Sequence, residues 1–202
     1  MVEKQKKILI ATRNKGKAKD FSLLLEPKGY IIETLLDYPE VPDVEETGYT
    51  FEQNARLKAE TISKTFALPV LADDSGIIVD ALEGQPGVYS ARFAGPQRSD
   101  SANNAKVLAM LGEMNPVSRT AHFHCTLVLS RPEKESLVVE GVIDGEIAKF
   151  PSGDNGFGYD PLFYIPELGK TMAELTDQEK SEISHRAVAM KKLNEKIDLW
   201  MV

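Results

Sequence analysis

Long apolar runs, a partner for its cysteine and an excess of positive charge are all missing from this 202-residue sequence. Cys125 is the only cysteine, so no intrachain disulfide can form and a reducing compartment is the natural setting. Lysine and arginine total 24 against 31 aspartates and glutamates, a formal charge of -7. That balance leaves no broad basic face for a nucleic acid polymer. A small anionic ligand is not excluded, since a few local lysines and amides suffice for it. No stretch reaches the roughly 20 apolar residues that cross a bilayer, and the apolar run near the N-terminus is too short for a signal-peptide core. A cytoplasmic protein with no membrane partner is expected. The Walker pattern G-x-x-x-x-G-K-[ST] occurs nowhere. Histidine is scarce as well. His122 and His124 fall on one face of a predicted strand, but no third ligand is near in sequence, which favours ordinary strand positions over a metal site.

What is present reads as one globular domain: 42% hydrophobic, 27% charged, with no repeat or low-complexity tract. "KILIA" (7–11) predicts a short buried strand, and "TRNKGKAKDFSLLL" a helix carrying Ala18, Phe21 and Leu25 at helical spacing. "YIIETL" predicts a second strand, followed by a proline-punctuated loop, "DYPEVPDVEETG". Thr50 with Gln53 is a capping-box pair ahead of a helical stripe at Phe51, Ala55, Ala59, Ile62 and Phe66. Two strand-like runs come next, and Ser75-Gly76 is expected to turn the chain from one to the other. A helix over "SANNAKVLAMLG" should stop at Gly112. "RTAHFHCTLVLS" and "SLVVEGVIDGEIA" alternate like paired antiparallel strands joined at "RPEKE". A glycine-rich loop, "SGDNGFGYDPLFYIP", then runs into a strand. Thr176 and Glu179 form another capping box, with Ile183, Ala187, Met190, Leu193 and Ile197 as the apolar face beyond it. The pattern leaves open whether "EKSEISHRA" is one helix or two. This order of elements gives an α/β or mixed α+β fold over residues 1–202, with no linker to mark a domain boundary.

Several segments can carry chemistry, and each has a plainer explanation. "TRNKGK" (12–17) lies where a strand gives way to a helix, where free backbone N–H groups and the positive end of the helix dipole suit a phosphate. The plainer explanation is an N-cap with a solvated basic turn. Glu45, Glu46 and Lys58 would pass for ordinary surface charges. Asp73 and Asp74, directly after a buried run, can ligate a hard cation such as Mg²⁺ through oxygen, or can simply make a turn with Ser75 and Gly76. "GDNGFGYDPLF" has its glycines in the order G-x-x-G-x-G and leads into a strand, so it is no dinucleotide fingerprint. Such a loop can lay an aromatic face on a base, or be only a tight turn. Lys180, Ser184, His185 and Arg186 are a dense set of donors, as a charged helix face would also be.

Taken together, "ATRNKGK", "EETGYTFEQNARLKA", "LADDSGIIVDALEGQPGVYSARFAG", "NGFGYDPLF" and "KSEISHRA" resemble, in the same order, the inosine triphosphate pyrophosphatase family. That resemblance implies an elongated domain with a twisted mixed sheet flanked by helices, two lobes with a deep nucleotide cleft between them, and a homodimer. It implies hydrolysis of ITP, dITP and XTP to the monophosphate and pyrophosphate, with Mg²⁺ as cofactor. Thr12, Asn14 and Lys17 would hold the triphosphate, with Arg13, Lys15 and Gly16 of the same segment and Lys58 beside them. Asp74 would be the catalytic carboxylate and, with Glu46, would hold Mg²⁺; Asp73 would support them. Ser75 would touch substrate. Phe157, Gly158, Tyr159 and Asp160 would line the base pocket, Phe157 stacking on the purine, and Lys180, His185 and Arg186 would close over nucleotide and base. Asn155 departs from the family pattern, standing where many members have glycine. The rival functions are a nucleotide sensor that has lost its catalytic acids, which the presence of Glu46 and Asp74 disfavours, and a related enzyme acting on other modified nucleotides.

Overall fold

The structure is a computed structural model that describes residues 6–112 and 118–201. In chain order the elements are β1 (Lys6–Ile10), α1 (Lys15–Leu25), β2 (Tyr30–Thr34), α2 (Phe51–Phe66), β3 (Val70–Val79) and α3 (Asp100–Gly112). They continue as β4 (Thr120–Ser130), β5 (Leu137–Ile147), β6 (Phe163–Ile165), β7 (Lys170–Thr171), α4 (Asp177–Ile183), α5 (His185–Asn194) and α6 (Ile197–Met201). The strands form a seven-stranded sheet in the order β2-β1-β3-β4-β5-β6-β7. It is mixed: β1 runs parallel to β2 and β3, whereas β5, β6 and β7 pair antiparallel.

The chain divides into two compact units, the first built from residues through Asp74, Cys125–Gly141 and the residues from Ala189 on. The second comprises Ser75–His124 and Val142–Val188. In the first unit, strand alternation decides which helix each residue meets. Leu71 packs with Ile8, Ile10, Cys125 and Leu127 against Phe21 and Leu25 of α1. Val70 and Ala72, its neighbours in sequence, join Leu9, Ala11 and Val128 against Ala55, Ala59 and Ile62 of α2. The second unit has one core, in which Ile77 and Val79 meet Val107 and Leu111 of α3, Phe123, Leu162 and Phe163.

Three expectations change. No turn interrupts β3 at Ser75-Gly76, because one strand runs from Val70 to Val79. The acids can stay in a buried strand because lysines neutralise them, and Gly76 serves close approach rather than a bend. A Cβ at Gly76 would lie 2.5 Å from the Gly87 carbonyl oxygen and 2.4 Å from Ser90 Oγ. That hydroxyl accepts from the Ile77 N–H (3.0 Å) and donates to the Gly87 carbonyl (2.6 Å), tying the strand to the segment that follows it. At the start of α2, Thr50 Oγ1 accepts from the Gln53 N–H, but the Gln53 side chain takes the N–H of Tyr49, so the box is not reciprocal. At Thr176 and Glu179 it is reciprocal. Finally, the C-terminal apolar residues are spread over three helices. Ser184 leaves helical geometry with ψ 157, and its hydroxyl accepts from the Ala187 N–H to start α5.

Candidate active site

β3 opens the first constellation. Asp73 shares the side of β3 that Leu71 occupies, facing α1, and Asp74 shares the side of Val70 and Ala72, facing α2. Asp73 accordingly pairs with Lys17 near the start of α1, at 2.9 Å. Asp74 receives two groups from α2: Asn54 Nδ2 donates to its Oδ2 (3.2 Å) and Lys58 Nζ to its Oδ1 (3.2 Å). Lys58 also reaches Glu46 Oε1 at 3.0 Å, so one ammonium holds both predicted metal ligands. Asn54 and Lys58 lie one turn apart on the inner face of α2, and Asn54 Oδ1 accepts the N–H of Gly48, which fixes the acidic loop. Burial pushes the Asp74 carboxyl above its usual range, and Lys58 and Lys17 offset this only in part. Burial would lower Lys58, but Asp74, Glu46 and Asp73 outweigh it and hold the ammonium charged.

The 12–17 segment divides in its roles. Asn14 caps α1, its side chain accepting from the Lys17 N–H at 3.1 Å, and Thr12 Oγ1 accepts from the Asn14 N–H at 3.2 Å. The N–H groups of Lys15 and Gly16 open the helix, where no intrahelical acceptor exists for them. Arg13 turns elsewhere. Its guanidinium donates to Asp43 at 2.7 Å and to the carbonyls of Leu35, Tyr38 and Val41, which makes it a clamp on the 35–43 loop.

The second constellation lies in the second unit and begins at Ser75, the next residue along β3. Arg186 donates to Ser75 Oγ at 2.9 Å and lies over the Phe157 ring at 5.2 Å. Lys180 Nζ closes on Asp160 Oδ2 at 2.7 Å and on the Asn155 carbonyl at 2.9 Å. Burial raises the Asp160 carboxyl, with Lys180 pulling against it. The pair occupies the space a side chain at Gly156 would need: with φ +104, a Cβ there would fall 2.1 Å from Asp160 Oδ2. His185 is buried and stacks on Phe123 with ring centroids 4.8 Å apart. Tyr159 is buried too, its hydroxyl donating to the Ser90 carbonyl at 2.7 Å, so its ring belongs to the core. Asn155 does not use left-handed backbone, which falls on Gly153, Gly156 and Gly158. Its side chain instead anchors the loop on the Leu175 carbonyl at 2.8 Å.

A family model described as the Ham1 family matches residues 8–196. The chain belongs to the Ham1 family. It is 50% identical to the dITP/XTP pyrophosphatase of Halalkalibacterium halodurans over 96% of this chain and 100% of that one. It is 56% identical to the protein of the same name in Streptococcus pneumoniae, over 96% of this chain and 97% of the other. The solved Ham1 protein of Staphylococcus aureus superposes with a TM-score of 0.84 at 46% identity, covering 96% of this chain and 98% of that one. A HAM1 protein from Coxiella burnetii gives 0.86 at 41% identity over the same shares.

Asn54, Asp100 and Asn104 were not singled out by the sequence reading, and all three engage predicted site residues. Asn54 had a signal: it interrupts the inner, apolar side of α2. Asp100 and Asn104 grip Gly158 from α3, and no local pattern announces contacts 58 and 54 residues away. Among the described residues no group of three or more His, Cys, Asp or Glu is placed to hold a metal ion, His122 and His124 included.

Proposed function

We propose that this Ham1-family chain hydrolyses dITP, XTP and ITP to the nucleoside monophosphate and pyrophosphate, with Mg²⁺ as its cofactor. The activity named for its relatives supports the reaction, and the contact that carries it here is Lys58 between Glu46 and Asp74 at 3.0 and 3.2 Å. Two carboxylates held together by one cation, with oxygen the only donor element, fit Mg²⁺, which takes one or two carboxylates and completes its shell with phosphate and water. When bound, Mg²⁺ would neutralise phosphate charge as it builds. Glu46 and Asp74 would hold it.

The remaining roles belong to the chain. Asp74, made more basic by burial and oriented by Asn54, takes the proton from the water that attacks the α-phosphorus. Lys58, Lys17 and the first N–H groups of α1 oppose the negative charge of the triphosphate. Phe157 with Arg186 offers a stacked plate for the base, and the Asp160–Lys180 pair fixes the loop that carries it. Donors at Arg186 suit a 6-oxo purine and oppose the 6-amino group of adenine. A homodimer and a cytoplasmic setting belong to the same proposal, supported by the resemblance and by the lone cysteine. No helix among the described residues is long and apolar enough to cross a membrane.

The test is pyrophosphate release across ITP, dITP, XTP, ATP, GTP and a pyrimidine triphosphate. We expect kcat/KM for ITP and XTP to exceed that for ATP and GTP by about 10² or more, because a buried site leaves mismatched polar groups unpaired. Equal efficiency with ATP and ITP, or IDP as the first product, overturns the proposal.

A further inference from the structure

Gly158 sits at the centre of the loop assigned above to the base, and both of its main-chain groups are held by side chains of one helix. Its N–H donates to Asp100 Oδ2 at 2.7 Å, and its carbonyl accepts from Asn104 Nδ2 at 2.9 Å. Asp100 and Asn104 are four residues apart on α3, so they project from the same helix face at a fixed spacing. The residues flanking Gly158 go to opposite fates. Phe157 lies under Arg186, whereas Tyr159 enters the core and bonds to Ser90. Gly158 has φ +62, and the direction in which Phe157 leaves the loop depends on that peptide rotation. Gripping N–H and C=O together fixes it.

A further observation sets Asn104 apart from an ordinary helix residue. It is 9% exposed, and its Oδ1 is buried with no hydrogen-bond partner among the described residues. A buried acceptor in that state costs stability, so this amide is poorly explained by folding alone. What it supplies is the donor on Gly158.

We propose that Asp100 and Asn104 are positioning residues that set the register of the 157–160 loop and, through it, the selectivity for the purine base. This rests on the reading of that loop as the base site. Neither residue needs to touch the nucleotide. They act by denying the Gly158 peptide the rotation that would carry the Phe157 ring away from Arg186.

The test compares kcat/KM for ITP and ATP in Asp100→Ala, Asp100→Asn, Asn104→Leu and Phe157→Ala, with inhibition by inorganic pyrophosphate measured alongside. Pyrophosphate has no base, so it reports on the phosphate residues alone. Asp100→Ala and Asn104→Leu are expected to lower the ITP-to-ATP ratio about tenfold, chiefly through KM for ITP, with pyrophosphate inhibition unchanged. Asp100→Asn keeps an acceptor oxygen and should restore the ratio. A merely structural role would depress ITP, ATP and pyrophosphate binding together, and that pattern overturns the proposal. If Phe157→Ala lowers the ratio while folded Asp100→Ala and Asn104→Leu do not, the clamp fails and the base site stands. If Phe157→Ala also leaves the ratio intact, the loop does not read the base and both readings fall.

Discussion

A carboxylate buried in a strand survives only with company, and Asp74 has an ammonium on one oxygen and an amide on the other. Its basicity follows from burial opposed by the Lys58 and Lys17 ammonium groups, and the net direction is upward from 3.8. A base with a raised pKa is protonated over a wider acidic range, and the protonated form cannot accept the proton of water. The acid limb of kcat/KM is therefore expected above pH 3.8, the ordinary value, and should vanish in Asp74→Asn. That variant keeps the shape of the side chain, so it should fold while turnover falls by about 10² or more. A folded Asp74→Asn enzyme that retains both its rate and its acid limb would remove Asp74 from the chemistry. At this scale the sequence was informative about residue type and silent about orientation. Asp73 and Asp74 looked like one acidic unit, yet they serve opposite faces of the sheet. Arg13 looked like part of a phosphate site, yet it is consumed by loop carbonyls that sit 22 to 28 residues away.

Helices and strands were legible where pattern and local chemistry agreed. β1, α1, β2, α2 and α3 follow from apolar spacing and caps, because those signals act over a turn or two. β3 was not legible as one strand, because Asp-Asp-Ser-Gly is turn chemistry by composition. What keeps it extended is Lys17 and Lys58, supplied by other elements. The break between α4 and α5 stayed undecided in the sequence for a related reason, since Ser184 is neither Gly nor Pro and stops α4 through a cap for α5. The glycine loop after β5 shows the same dependence. Gly156 is required because the Asp160–Lys180 pair fills the space beside it, and neither partner is adjacent in sequence. Gly156→Ala combines a positive φ with a displaced ion pair. It should destabilise by about 1–3 kcal/mol in urea unfolding and raise KM for ITP. An unchanged KM in that variant would mean the loop works without the pair.

Across the whole chain, the two units have separate cores, and Tyr159 ties the base loop to one of them. Burial, with Asp100 adding to it, raises the Tyr159 phenol well above its ordinary 10.0. In the unfolded chain the phenol ionises near pH 10, while the folded protein keeps it neutral. Stability contributed in this way is intact below pH 10 and is lost as pH rises beyond it, by up to about 1.4 kcal/mol per pH unit. Chemical unfolding between pH 9 and 11 should therefore show a steeper decline for the wild type than for Tyr159→Phe. Parallel declines would mean the phenol ionises in place. The fold class was legible from the order of elements, whereas a division in two was expected only from the family resemblance. β3, β4, β5 and α5 each contribute residues to both units, so the boundary cuts through elements and leaves no linker to read. The alternation along β3 carries a genetic consequence. Replacing one residue of this strand disturbs one side chain, but an in-frame loss of the codon for Leu71 or Ala72 reverses the facing of every residue on one side of the gap relative to the other. Asp73 and Asp74 would then exchange sides relative to β1, each losing the lysine that makes its charge tolerable. The stretch of the gene encoding β3 should therefore accept almost no single-codon deletions, unlike the turn at 131–136.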